Sequence, residues 1–297
     1  MKLIKPSFEI WNQPAGLEGV YKQIERVGRV CYKSEDKITE GSAKGFVDRM
    51  VKSGHGAMLE HGTIYLQYET VKSAINPLTK YYLNKYSKVK AIEGATKETM
   101  RLFVTTNLRV LVENDWLKDL EYICEPTEFH ERRITVHFVC DRGVSHEFVR
   151  HRVFSFAQES TRYCNYSKDK FGNELTFIEP CWLEDYNYKD NTYNQLFIDS
   201  LRFAEAHYLD LLKKWDDKIP DKRYKTGFRN NPWTPQQARA VLPNALKTEL
   251  VMTGFASDWN HFFDLRARGT TGAPHPQAKE LAEPLMKEFI ARKYINN

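Results

Sequence analysis

One stretch restricts the fold more than any other. Residues 133–141, RITVHFVCD, are crowded with β-branched and aromatic side chains, which suit the pleated, half-buried surface of a strand. Directly after Gly143 the pattern turns helical. Val144, Phe148 and Val149 recur and run into Arg150-His151-Arg152. The strand needs partners, and the chain offers them. Ile64, Leu66 and Tyr68 alternate with polar residues, and LTFIEP (175–180) reads as a strand closed by Pro180.

Helical spacing is common in the rest. Leu17, Val20, Tyr21, Ile24, Val27 and Cys31 predict a helix over 17–32. A second fits Ser42 to Lys52, with Phe46 and Met50 inward. Asn191–Trp215 is a long amphipathic helix carrying Leu196, Phe197, Leu201, Ala204, Tyr208, Leu211 and Leu212. Lys222–Asn231 is a polar loop with four basic residues. Thr234-Pro235 is a helix start, a hydroxyl cap followed by Pro at the first position, and that helix should stop near Pro243. Further helices are expected over 245–266 and 276–294. Residues 70–131 hold two helical patterns, Ala74–Tyr86 and Leu108–Leu120, and many charges. No Pro/Gly/Ser linker divides the chain, so one α+β domain over 1–297 is expected.

Composition excludes several classes. With 17 Phe, 16 Tyr and 6 Trp in 297 residues the chain can bury a core, so it is not intrinsically disordered. The net charge of +5 fits a binder of anions and equally a protein without an anionic partner. The five cysteines are odd in number and show no C-x-x-C spacing, which speaks against a disulfide framework or a zinc knuckle. The start, MKLIKPSFEIWNQPAG, holds no apolar core of signal-peptide length, and no run of eighteen apolar residues occurs. The expectation is a soluble cytoplasmic protein in a reducing compartment.

The most unusual segment is RHRVFSFAQESTRY, residues 150–163. Helical neighbours lie ~100° apart, so Arg150 and Arg152 would point to nearly opposite sides. Either the tripeptide ends a helix or it serves two surfaces, as at a subunit interface. If the following part is extended, Gln158, Ser160 and Arg162 fall on one side. A carboxamide, a hydroxyl and a guanidinium there can hold a phosphate and an amide-bearing base. The plain alternative is a solvated basic helix end followed by a loop. His55 and His61 are six apart, a poor spacing for a ligand pair on one helix face, so no metal is expected. Phe255, Phe262 and Arg266 are separated by seven and four and would share a helix face. Arg266 then either neutralises a helix C-terminus or lines a pocket, reading a carbonyl or an ionised base.

Several of these segments occur together in a known family. Arg150-His151-Arg152, seven residues, then Ser160 resembles the RHR-x7-S signature of the flavin-dependent thymidylate synthases. Ser160-Thr161-Arg162-Tyr163 is similar to that family too. So are His55 to His61, Ala238-Arg239-Ala240-Val241-Leu242-Pro243, His261-Phe262-Phe263-Asp264-Leu265-Arg266 and the late His275 to Gln277. The resemblance runs in family order over roughly 55–69 and 133–290.

The resemblance implies an α+β fold with a mixed or antiparallel sheet flanked by long helices. It implies an enzyme that makes dTMP from dUMP, with 5,10-methylenetetrahydrofolate as carbon donor and NADPH as reductant through FAD. It also implies a homotetramer with FAD between subunits, which would explain two arginines facing different ways. By residue, His55, Arg150, His151, Arg152, Gln158 and His261 would bind FAD. Glu147, Arg150, Gln158, Ser160, Thr161, Arg162, Arg239 and Arg266 would bind dUMP. Arg266 would be catalytic, stabilising negative charge at N3 and O2 of the pyrimidine. No protein nucleophile is then needed, and Cys181 reads as structural.

The chain also departs from the family. Ala57, Phe255, Ser257 and His261 stand where other members carry different contacts to flavin, and Glu147 stands where some have Gln. The segment at about 70–131 is atypical of the family, and its role is open between lid, oligomer contact and decoration. Two other readings remain: a related flavoprotein acting on another pyrimidine nucleotide, and a basic nucleic-acid-binding protein using 150–166 and 222–233. The expectation is no nucleic-acid partner and no membrane partner.

Overall fold

The structure is a computed structural model and describes residues 1–183, 192–213 and 232–296. In chain order the strands are β1 (Lys2–Ile4), β2 (Ser7–Trp11), β3 (Thr63–Val71), β4 (Lys88–Glu93), β5 (Thr99–Asn107), β6 (Arg133–Asp141), β7 (Ser155–Gln158), β8 (Thr176–Ile178) and β9 (Lys247–Phe255). The helices are α1 (Gly16–Tyr32), α2 (Ser42–Lys52), α3 (Leu108–Glu113), α4 (Arg142–Phe148), α5 (Thr192–Leu212), α6 (Pro235–Ala238), α7 (Ala256–Phe263) and α8 (Pro276–Ala291).

The RITVHFVCD stretch is β6, an inner strand of a four-stranded antiparallel sheet ordered β2-β6-β9-β7. Because side chains alternate along a strand, β6 and β9 present two different faces. Ile134, Val136, Phe138 and Cys140 join Leu250 and Met252 in one core with Phe148 of α4, Trp259, Phe262 and Phe263 of α7 and Phe289 of α8. The other face is partly polar and is covered by α1 and the 3-10 segment Gly56–His61. There His61 is fully buried, with Nδ1 2.8 Å from Thr253 Oγ1. A second antiparallel sheet, β3-β5-β4, and a short parallel pair, β1-β8, complete the mixed α+β architecture. No helix among the described residues is long and apolar enough to cross a membrane.

Local chemistry sets the element that carries the site. The Asp141 carboxylate accepts from Val144 N at 2.8 Å and so caps α4. Its other oxygen accepts from Gln277 Nε2 at 3.0 Å, tying α4 to the first turn of α8. Just past α4, the Phe154 ring packs closely against β9 at Gly254. A Cβ at Gly254 would lie 2.5 Å from the Phe154 ring, so only glycine allows that approach.

Several sequence expectations need correction. The helix over 245–266 is instead β9, then α7, then a π-turn at Asp264–Arg268. Residues 250–255 are all buried, and an apolar run without alternation does not distinguish a central strand from a buried helix. Phe255 therefore ends a strand and does not share a helix face with Phe262. Ala74–Tyr86 contains only the 3-10 segment Pro77–Leu83. Leu108–Leu120 is broken after α3, with Asp115 in the left-handed region at φ 58° and a 3-10 segment at Leu117–Tyr122. Between them lie β4 and β5, which the charge-rich sequence concealed. The helices over 17–32 and Ser42–Lys52 match α1 and α2. α5 matches the expected helix over Thr192–Leu212 and ends before Lys213, short of Trp215; Asn191, Trp215 and the Lys222–Asn231 loop fall outside the described residues.

Candidate active site

The end of α4 resolves the geometry of Arg150-His151-Arg152. α4 stops at Phe148, and the next residues turn, with His151 N bonded to Phe148 O at 3.1 Å. The turn points His151 inward, where it is 7% exposed, and leaves Arg150 and Arg152 exposed.

His151 is met there by Arg266 from the π-turn. Arg266 Nε donates to His151 Nε2 at 3.1 Å. Its other nitrogens reach Glu147, forming an ion pair with the carboxylate and a 3.0 Å bond to the carbonyl. A guanidinium has no lone pair to offer, so His151 Nε2 must be the acceptor. His151 is thus neutral, with its proton on Nδ1. Burial, with the nearby positive charge of Arg266 and with His261, lowers its pKa to about 4. The exposed His261 ring of α7 lies 6.2 Å from the His151 ring. Glu147, His151, His261 and Arg266 therefore form one group, assembled from α4, its following turn, α7 and the π-turn.

A second group follows β7. The extended backbone ends at Gln158 and then turns: Tyr163 N and Cys164 N both bond to Ser160 O, at 3.2 and 2.9 Å. Gln158, Ser160 and Arg162 thus do not continue as one side of a strand. The turn is held from α1, since Ser160 N donates to Cys31 O at 3.0 Å. Arg239, past α6, donates to Thr161 Oγ1 at 3.2 Å, and Arg162 Nε donates to Gln236 Oε1 at 3.0 Å. Gln158 Nε2 reaches Ser145 Oγ at 2.9 Å and Thr248 Oγ1 at 3.2 Å.

Beneath this turn lies a largely buried ionic network with no signal in the sequence. Glu159 accepts from Lys247 Nζ at 2.8 Å and from the Tyr166 hydroxyl at 3.0 Å. Glu249 takes Lys33 at 2.8 Å, Lys247 at 2.5 Å and His137 Nε2 at 2.9 Å. Burial alone would raise the Glu249 pKa, yet His137, Lys247 and Lys33 hold it well below the usual carboxylate range. Such a network, once every member is partnered, stiffens what stands on it. The residue types are ordinary surface residues in sequence, and only the fold brings them together around β9, from β6, the end of α1 and the segment after β7.

The donor set fits phosphate-bearing ligands. Among the described residues, Arg150, Arg152, Arg162 and Arg239 have no carboxylate partner, and an unpaired guanidinium matches phosphate oxygens in charge and shape. No hydrogen bond or ion pair joins His55 to either group; it is exposed at the start of the Gly56–His61 segment, which packs on β7. A cleft of about 140 Å³ at the β2 edge, lined among others by Trp11, Gln13, Tyr65, Arg133 and Tyr294, contains none of the expected site residues.

Residues 85–292, more than half of the chain, match the family described as thymidylate synthase complementing protein. The chain belongs to this family. A flavin-dependent thymidylate synthase of Mycolicibacterium vanbaalenii is 33% identical over 259 residues, which are 86% of this chain and 70% of that one. The enzyme of the same name from Mycolicibacterium gilvum is 36% identical over 126 residues, 42% of this chain and 46% of that one, so the match spans less than half of that relative. Among solved structures, the UMP/dUMP methylase PolB from Streptomyces cacaoi bound with 5-Br dUMP is 17% identical, with a TM-score of 0.43 over 98% of this chain and 93% of that chain. In this member of the thymidylate synthase complementing protein family, the RHR turn and the late Arg266 belong to one hydrogen-bonded cluster although 115 residues separate His151 from Arg266.

Proposed function

We propose that the protein is a flavin-dependent thymidylate synthase that converts dUMP to dTMP, taking its carbon from 5,10-methylenetetrahydrofolate and its reducing power from NADPH through FAD. The observation that carries this reading is the bond from Arg266 to neutral His151 of the RHR turn, in a chain of this family that also holds four guanidiniums without carboxylate partners among the described residues.

Bound FAD would supply the redox chemistry. The protein's residues orient, hold charge and exclude water. Arg266 is the catalytic residue, placing a fixed positive charge where the pyrimidine becomes electron-rich. His151 and Glu147 set its direction. Ser160, Thr161, Arg162 and Arg239 take the nucleotide phosphate, with Glu147, Arg150 and Gln158 also on the dUMP side. His55, Arg150, His151, Arg152, Gln158 and His261 hold FAD. Exposed Arg150 and Arg152 on either side of a buried His151 are consistent with a ligand shared by two subunits, and we assign a homotetramer with FAD at the subunit interfaces, acting in the cytoplasm. We read 1–297 as one catalytic domain whose segment at about 70–131 is an elaboration on it.

The test is direct. Purified protein should be yellow or become so with FAD, and dUMP should stimulate its oxidation of NADPH. Colourless protein that stays inactive after FAD is added sinks the proposal.

A further inference from the structure

Ser145 carries no expectation from sequence, yet its position decides which way Gln158 faces. Ser145 is fully buried in α4. Its hydroxyl donates to the Arg142 carbonyl at 2.9 Å. A carbonyl oxygen can only accept, so the one hydroxyl proton of Ser145 is committed there. What Ser145 Oγ offers Gln158, 2.9 Å away, is a lone pair. Only the amide NH₂ can meet it, because the reversed carboxamide would set oxygen against oxygen. Thr248 Oγ1, on the inner strand β9, takes the same nitrogen at 3.2 Å. Both N–H groups of Gln158 are thereby used inside the protein. Its Oε1 has no hydrogen-bond partner among the described residues.

We infer that Ser145 is a positioning residue for nucleotide recognition: it pins the Gln158 carboxamide so that Oε1 is a fixed acceptor, and the nucleotide bound there must bring an N–H or O–H donor. This rests on the reading of Gln158 as a nucleotide contact. dUMP offers two such donors, the pyrimidine N3–H and the 3′-hydroxyl. A ligand without the donor leaves a desolvated acceptor unpaired, which discriminates more sharply than a lost apolar contact. Ser145 itself touches no ligand and acts only through Gln158.

The experiment titrates the flavin-loaded protein with dUMP, 3-methyl-dUMP and 2′,3′-dideoxy-UMP. It compares the wild type with Ser145→Ala, Gln158→Met and the double variant. Ser145→Ala should weaken dUMP binding roughly 5- to 10-fold, with flavin still bound. It should add nothing in the Gln158→Met background, because coupling through one side chain is not additive. One analogue should bind the wild type correspondingly weakly and be indifferent to Ser145→Ala, which names the donor. Unchanged dUMP binding in Ser145→Ala overturns the inference. So does a full Ser145→Ala effect in the Gln158→Met background, or with both analogues. If Ser145→Ala does not fold, Gln158→Met with the two analogues carries the test: one must be indifferent to it, and full sensitivity of both overturns the inference. A wild type that binds flavin but no dUMP would instead defeat the functional reading itself.

Discussion

Arg266 and the outer arginines differ in what holds them. Arg266 is locked from three sides by the Glu147 carboxylate, the Glu147 carbonyl and His151. Among the described residues, Arg150 and Arg152 are exposed without a carboxylate partner, and Arg162 and Arg239 meet neutral groups, Gln236 and the Tyr163 ring for Arg162 and Thr161 for Arg239. On the proposed function, the difference would let one site treat two kinds of ligand charge. A phosphate would arrive with its full charge, so guanidiniums free of carboxylate partners could turn to meet it. Charge on a pyrimidine develops only during reaction, and only a donor already in place stabilises it without reorganisation.

The locked group should give the largest effect. Arg266→Ala should lower kcat about 100- to 1000-fold, as loss of a pre-placed charge does in other sites, while flavin absorbance is retained. Full turnover in that variant would remove Arg266 from the mechanism and erase the contrast. Acid attacks the same group. His151 and His61 start from an ordinary 6.5 and are lowered to about 4 and about 3, both chiefly by burial. The unfolded chain then takes up protons first as pH falls below 6.5, so stability should decline from there towards pH 4. Each imidazole contributes on the order of 3 kcal/mol by pH 4, read as a falling midpoint in denaturant. A midpoint unchanged between pH 7 and pH 4.5 would contradict the neutral, buried His151.

The unpaired group should give a smaller effect of another kind. Arg239→Ala should raise the KM for dUMP about 10- to 100-fold, the scale of a charge-assisted hydrogen bond, with kcat far less affected. Raised salt should reproduce part of it, because exposed charges are screened. A kcat loss equal to that of Arg266→Ala would show that the two groups are not distinct. Ser160→Ala should be mildest, about 2- to 10-fold in KM. Loss of all chemistry with dUMP still bound would favour a nucleophilic serine instead.

What the sequence made legible follows from range. The strand at 133–141, the helices at 17–32 and Ser42–Lys52, and the RHR-x7-S segment carry their signals within a few residues of one another. β9 carries no strand signal because residues 250–255 are all buried, so the alternation that marks a strand is missing. Arg266 was found as a lone cation, but its lock on Glu147, 119 positions away, is visible only in the fold. Ser145 and the Glu159–Lys247–Glu249–Lys33 network gave no local signal. Serine in a helix and lysine in a strand look like any surface residue until their partners are known. The Lys247–Phe255 strand carries Lys247, Glu249 and Thr248 to these partners, and those contacts exist only once it pairs as a strand.

The central claim is that this chain methylates dUMP with flavin chemistry arranged around a locked Arg266. The most direct measurement is product analysis of the FAD-loaded protein given dUMP, 5,10-methylenetetrahydrofolate and NADPH. The account predicts dTMP, formed only when all three and FAD are present and nearly absent in Arg266→Ala. Folded, flavin-bound protein that yields no dTMP, or yields it equally well without FAD, would contradict it.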